Sequence, residues 1–263
     1  TLLRYVLTQA ASSTLIKLTA FKNNIILMSD IVTETRSHNA LAGLMATGGS
    51  TNHTIHLIAM ARAAGIILNW DDFNMISKVT PLLWKLYPNG SADVNHFRDA
   101  GGMSVVIHEL INAGLVHEDV NTVVGFGLKN YIVEPSLKDN VLTFNKGATV
   151  SRDKDIISSV AAPFSKEGGI TLLEGNLGRS IIKTSALKEE HLYVKAPAMV
   201  FSTQDELKDA FKKGLLDKDF VAVVKYQGPK ANGMPELHGL LPSLGVLQDK
   251  GYKVAIVTDG RMS

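Results

Sequence analysis

The sequence predicts an α/β protein in which a helical part is followed by a β-rich part, and three observations predict it. Apolar residues recur at helical spacing through most of the first 125 or so positions. Beyond Pro163 they gather instead into short β-branched runs. The length of 263 residues accommodates one to two domains at about 150 residues each. The change of texture places a boundary near residues 150–163.

Taken in order, residues 1–20 carry Leu2, Leu3, Val6, Leu7, Ala10, Ala11, Leu15, Ile16 and Leu18, close to a helical period. Asn39 to Met45 is a second apolar stretch, broken by Gly48-Gly49. A helical pattern resumes from Ser50 and ends at Gly65, a C′ glycine. Asp71 is an apt N-cap for a helix through Phe73, Ile76 and Val79. Pro81 to Trp84 is a short buried segment, and Tyr87-Pro88-Asn89-Gly90 a turn. Met103 to Ala113 is a helix stopped by Gly114. Residues 126–160 are polar and irregular, with a turn at Lys138-Asp139-Asn140. Strands are then predicted at Ile170–Leu173, Ile181–Thr184 and Ala198–Phe201. The strongest strand signals are Phe220–Tyr226 and Tyr252–Thr258, with helices over Asp205–Lys213 and Pro242–Lys250 between Phe201 and Tyr252.

Composition removes several functional classes. Apolar residues make up 45%, charged residues 20%, and the net charge is +2, so no basic footprint for nucleic acid or an anionic membrane exists. Aromatics at 6% are too few for a base-stacking chain. No apolar run reaches the ~18 residues of a membrane span. A packed cytoplasmic protein is expected. Cysteine is absent, which excludes disulfides, thiolate metal sites and thiol catalysis within these residues. Thr1-Leu2-Leu3-Arg4 is neither an initiator methionine nor a signal peptide, and the last residues stop just past a strand, so both ends read as cut.

Gly48-Gly49-Ser50-Thr51-Asn52 precedes an apolar-periodic helix. Paired glycines admit a close ligand, and a helix start offers N–H groups to an anion. Plain N-capping by Ser50, Thr51 or Asn52 explains the same residues. His53 and His56 could ligate a metal, but no further ligand stands at a recognised spacing. Asp93-Val94-Asn95-His96-Phe97 suits a polar pocket or a capped turn equally. Gly175-Asn176-Leu177-Gly178-Arg179 reads as a structural hairpin. The richest segment is Gln227 to His238, after one strong strand. Loops at strand C-termini commonly bind ligands: Lys230 could meet an anion, Asn232 a hydroxyl, and Glu236 a divalent cation. A Gly/Pro-stiffened surface loop is the plainer account. Thr258-Asp259-Gly260-Arg261-Met262-Ser263 leaves the second strong strand in the same way.

Four of these motifs, in this order, closely resemble the dihydroxy-acid dehydratase and phosphogluconate dehydratase family. They are Gly48-Gly49-Ser50-Thr51-Asn52, Gly175-Asn176-Leu177, Gly228-Pro229 with Met234-Pro235-Glu236, and Thr258-Asp259-Gly260-Arg261 with Ser263. The resemblance runs along essentially the whole chain. His53-Thr54, Tyr87-Pro88-Asn89-Gly90, Ala92 to Phe97 and Ala231 to His238 resemble the 6-phosphogluconate branch.

The resemblance implies an iron–sulfur dehydratase that removes water from 6-phospho-D-gluconate in the Entner–Doudoroff route. A base takes the C2 proton, the C3 hydroxyl leaves toward an electrophilic metal, and the enol tautomerises. It implies a cluster, 4Fe-4S, on cysteines that lie outside this chain, with Mg²⁺ beside it. Glu236 matches a metal-ligand position and Ser263 the serine proposed as base. Ser50, Thr51 and Asn52 are expected to bind the phosphate or hydroxyls, and Lys230, Asn232 and Arg261 to orient the substrate. The expected architecture is an incomplete helix-rich α/β domain over 1–150 and an incomplete β-barrel-like domain with helices over 151–263. A homodimer is expected of the intact protein, with a phosphorylated sugar acid as its small-molecule partner and neither nucleic acid nor membrane. The alternatives are a dehydratase for another sugar acid or dihydroxy acid, and a catalytically inactive piece.

Overall fold

The computed structural model describes residues 2–19 and 25–262. They form two compact units, one of residues up to 49 plus 53–186, the other of Ser50–Asn52 plus residues 187 onward.

The first unit begins with helices α1 (Leu2–Lys17), α2 (Met28–Ile31), α3 (Glu34–Thr47), α4 (His53–Ala63), α5 (Trp70–Val79), α6 (Val94–Asp99) and α7 (Gly102–Asn112). Helix α3 buries Leu41, Ala42, Leu44 and Met45 against Phe73 and Ile76 of α5 and against Ile170. Each such side chain withdrawn from water contributes roughly 1.5–3 kcal/mol before entropy is counted. A second cluster joins Leu83, Phe97, Val105, Val106 and Ile157. Gly48, at φ +53, ends α3 in the left-handed conformation that a Cβ disfavours.

Two local expectations are corrected. Helix α4 starts at His53 rather than Ser50, and the Ser50 hydroxyl accepts from the Asn52 N–H at 3.1 Å in the turn that precedes it. Helix α5 is capped by Asn69, not Asp71: the Asn69 side chain accepts from the Asp71 N–H at 2.8 Å. Asp72 returns the bond by accepting from the Asn69 N–H at 2.9 Å, which closes a capping box ahead of the expected start.

The rest of this unit is antiparallel. The short pair β1 (Asn121–Thr122) and β2 (Gly125–Phe126) precedes hairpin β3 (Val133–Lys138)–β4 (Val141–Lys146). The second hairpin falls in the stretch expected to be irregular. Its two-residue loop, Asp139-Asn140, has both φ values positive, at 51° and 62°, as a tight right-twisting hairpin requires. Polar and exposed positions along both strands hid the alternation. Strands β5 (Ile170–Gly175) and β6 (Gly178–Lys183) form the expected hairpin around Asn176-Leu177. Arg179 near its tip bonds Asp71 of α5 and pairs with Glu174 at 2.9 Å. The Asp71 carboxylate chiefly holds the Arg179 pKa above its ordinary value.

The second unit is a parallel sheet in the order β7 (Ala198–Phe201), β8 (Phe220–Val224), β9 (Val254–Thr258). Helices α8 (Gln204–Lys212), α9 (Pro229–Asn232) and α10 (Leu241–Asp249) intervene. Phe220, Ala222 and Val224 face a core with Leu207, Leu244 and Leu247. Their alternation with half-buried Val221 and Val223 is the period-2 signal of the sequence. The β-barrel-like form expected of this part is not what the described residues make. Parallel neighbours need long crossovers, which carry α8, α9 and α10, and a sheet of three strands stays open. Among the described residues, no helix is long and apolar enough to cross a membrane.

Candidate active site

Strands β8 and β9 are adjacent and parallel, so their C-terminal loops leave the same edge of the second unit. The Asp259 carboxylate ties those loops together. Its Oδ1 accepts from the Gln227 N–H at 2.9 Å and its Oδ2 from the Gly228 N–H at 3.1 Å. The approach is tight at Gly228 and leaves no room for a side chain at Gly260 unless Gln227 shifts. A Cβ on Gly228 would stand 3.1 Å from Asp259 Oδ2, and one on Gly260 would stand 2.7 Å from the Gln227 Cβ. The Thr258 hydroxyl accepts from the Gly260 N–H at 3.0 Å and completes the turn.

Arg261 is the hub of these loops. Its Nε donates to the Met234 carbonyl at 3.0 Å, and its Nη1 donates to Asn52 Oδ1 at 2.7 Å and to Glu236 Oε2 at 3.3 Å. Glu236 and Arg261 also meet as a parallel β-bridge, and the Leu237 N–H donates to the Arg261 carbonyl at 3.1 Å. Glu236 Oε1 accepts from the His238 N–H at 3.2 Å. The guanidinium has five N–H donors in one plane. Three of them are accounted for, and the two on Nη2 have no partner among the described residues. Thr51 is bound nearby, its hydroxyl donating to the Met262 carbonyl at 2.7 Å.

The structure thus brings Asn52, Glu236 and Arg261 into one cluster, with Thr51 anchored to the residue after Arg261 and Ser50 capping Asn52. Lys230 and Asn232 stand exposed on α9, with no hydrogen bond to that cluster among the described residues. Ser263 lies outside the described residues. Among those described, no three His, Asp or Glu side chains gather as metal ligands, so His53 and His56 do not build a metal centre here. Asp93 is the N-cap of α6, accepting from the Asn95 N–H at 2.8 Å and the His96 N–H at 3.1 Å. The His96 N–H above all holds the Asp93 pKa below its ordinary value.

Two members of the site escape sequence reasoning. Asp259 stands inside a motif that gives it no task of its own; an acidic residue beside Gly after a strand is its only signal. Gln227 is 2% exposed, and its Oε1 is buried without a partner among the described residues while Nε2 donates to the Lys225 carbonyl at 3.2 Å. A polar residue closely following an apolar strand does not announce burial. A largely apolar cavity of about 310 Å³ lies in the first unit, lined by Arg36, Leu57, Leu68, Val120 and Tyr131 among others. It takes in none of the predicted site residues.

The dihydroxy-acid/6-phosphogluconate dehydratase N-terminal family model matches residues 2–131, and the corresponding C-terminal model matches residues 155–263. The chain is 53% identical to the phosphogluconate dehydratase of Escherichia coli K12 over 99% of its own length and 43% of that relative's. The Zymomonas mobilis phosphogluconate dehydratase is 50% identical over the same shares. The dihydroxy-acid dehydratase of Caldanaerobacter subterraneus subsp. tengcongensis is 38% identical over 89% of this chain and 40% of that protein. The chain therefore spans less than half the length of these relatives. By both matched regions and by identity, it belongs to the dihydroxy-acid/6-phosphogluconate dehydratase family.

Proposed function

We propose that the full-length protein containing this chain is a hydro-lyase converting 6-phospho-D-gluconate to 2-dehydro-3-deoxy-6-phospho-D-gluconate, a step of the Entner–Doudoroff pathway. The observation that carries the substrate is the higher identity to phosphogluconate dehydratases than to the dihydroxy-acid enzyme. The substrate carries a carboxylate and a phosphate, and the site offers donors for anions. The Nη2 edge of Arg261 is aimed by three oxygen acceptors, so it meets an anion without first reorganising. Lys230 supplies a second cation from α9 and Asn232 a hydroxyl-binding amide. Ser50 and Asn52 contact the phosphate or hydroxyls, Thr51, whose hydroxyl hydrogen is given to the Met262 carbonyl, accepts from a substrate hydroxyl, and Ser263 takes the C2 proton. A serine hydroxyl is a weak base, so that role needs a neighbour that lowers its pKa.

The residues present do not fit an iron–sulfur cluster. Such clusters are held by thiolates, and the chain has no cysteine. Glu236 is a single carboxylate already engaged by Arg261 and the His238 N–H, which does not by itself make a Mg²⁺ site. The cluster, read as 4Fe-4S, and most Mg²⁺ ligands are assigned to parts of the full-length protein outside these residues. The same holds for strands that would complete a barrel-like second domain. The domain boundary near residue 150, the homodimer and the cytoplasmic setting belong to this proposal too.

Two measurements test it. Full-length protein is expected to turn over 6-phosphogluconate far faster than gluconate or a branched dihydroxy acid; a preference for an unphosphorylated acid would support the related-dehydratase alternative. Thr51→Val is expected to raise KM about tenfold or more with kcat less affected, because a lost polar contact of this kind costs on the order of 1–3 kcal/mol. An unchanged KM removes Thr51 from substrate binding.

A further inference from the structure

We propose that Asp259 is a positioning residue for substrate binding: it holds the turn that presents the Met234 carbonyl to Arg261, and so aims the Nη2 edge of that guanidinium. The inference rests on the reading that Arg261 meets an anionic group of the substrate.

The loop that follows β8 is held in a conformation that its side chains disfavour. Tyr226 and Met234 both lie in the left-handed region, at φ +64° and +58°, although each bears a side chain. Such backbone persists only where surrounding bonds impose it, and it gathers at functional sites. Asp259 supplies those bonds beside the first of the two. The turn at Tyr226 leaves the Gln227 and Gly228 N–H groups converging, a concavity suited to an anion. The two oxygens of Asp259 fill it, at 2.9 Å and 3.1 Å.

From there the restraint passes to the second strained residue. The Gly228 carbonyl accepts from the N–H groups of Ala231 at 3.2 Å, Asn232 at 3.0 Å and Met234 at 3.3 Å. Gly228 is thus gripped at its N–H by Asp259 and at its carbonyl by the turn of α9. With its N–H tied back to Gly228, Met234 offers its carbonyl to Arg261, whose Nε donates to it at 3.0 Å. The circuit closes, because Arg261 follows Asp259 by two residues on the same loop. A guanidinium is planar, so bonds at Nε and Nη1 fix the direction of Nη2. Among the described residues Asp259 makes no bond to the guanidinium itself, and its influence runs through the 227–234 loop. All of these residues belong to the second unit. Displacing a binding group by about 1 Å can cost roughly a hundredfold in rate, so a device that holds Arg261 has a use beyond stability.

The test is a double-mutant cycle in the full-length protein, with Asp259→Asn, Arg261→Ala and the pair. Asp259→Asn keeps the shape and the acceptor for Gln227, but its amide nitrogen faces the Gly228 N–H donor to donor. The expected result is a KM for 6-phosphogluconate raised about fivefold or more, the size of one lost hydrogen bond, with kcat within about twofold. In the Arg261→Ala background the same substitution is expected to change KM by less than about twofold, because the group it positions is gone. Gly228→Ala, which crowds Asp259 Oδ2 at 3.1 Å, gives a smaller change in the same direction. It takes the place of Asp259→Asn in the cycle should that variant fail to fold. Parental KM in Asp259→Asn, even with a lowered Tm, reduces Asp259 to a structural role and overturns the proposal. An equal rise of KM in both backgrounds overturns it as well, since Asp259 would then act by another route. Parental KM in Arg261→Ala is the distinct outcome that removes Arg261 from substrate binding, and the positioning role falls with it.

Discussion

Arg261 donates from Nη1 to Asn52 Oδ1 at 2.7 Å, joining residues 209 positions apart. This bond makes one site of two motifs that are far apart in the chain. It also constrains what can replace the arginine.

A lysine at position 261 would supply one ammonium on a flexible stem, where the guanidinium reaches Met234, Asn52 and Glu236 from one plane. Arg261→Lys in the full-length enzyme is therefore expected to lose about tenfold or more in kcat/KM despite keeping the charge. Steady-state kinetics beside Arg261→Ala checks this. A lysine variant at parental efficiency would mean that charge alone suffices.

Gly260 has no side chain because the Gln227 backbone lies against it, with the carbonyl oxygen 3.0 Å from where a Cβ would stand. Gly260→Ala should push the two loops apart and cost about 1–3 kcal/mol, the usual range for overpacking. Thermal unfolding of the full-length protein would register a lower Tm. Should Tm hold, the loops are more compliant than their spacing indicates.

His38 supplies a pH dependence. Burial first, and then the neighbouring His117 ring 5.1 Å away, hold the His38 pKa below its ordinary value, against a raising contribution from Asn39. Between that lowered value and the ordinary one near 6.5, the unfolded chain binds more protons than the folded one. The contribution to stability is complete above pH 6.5 and is lost as pH falls through the folded value. Tm measured from about pH 7.5 down to about 5 is expected to fall less steeply in His38→Gln than in the parent. Parallel curves would assign the acid sensitivity to other groups.

Cysteine chemistry supplies a prediction about the chain alone. Anaerobic incubation with ferrous iron and sulfide is expected to produce no thiolate-bound cluster, since no thiolate is present. Visible absorbance and dehydratase activity are the readouts. Active cluster on these residues would overturn the assignment of its ligands to the rest of the protein.

Much of the second unit is legible from sequence. Strands β8 and β9 fall inside the runs Phe220–Tyr226 and Tyr252–Thr258, and α8 and α10 shift by one residue at either end from their sequence-read bounds. The β5–β6 hairpin is legible from Gly-Asn and its flanking strands. These signals are local: a period of two or 3.6, a Gly that ends a helix, a turn pair. The β3–β4 hairpin is not legible, because half-exposed strands carry no burial alternation, and the Asn69 cap is masked by a nearer aspartate of equal propensity.

By itself, the sequence determined the strands and helices of the parallel-sheet unit, the family to which the chain belongs, and the identity of the polar residues in its loops. Only the tertiary structure decided that Asn52 and Glu236 share Arg261, that Asp259 laces two loops together, and that Asn89 grips Gly48. The physical reason is one of range. Propensity and periodicity act between neighbours along the chain, whereas a hydrogen bond between distant residues exists only once packed strands and helices have brought its donor and acceptor within about 3 Å of each other.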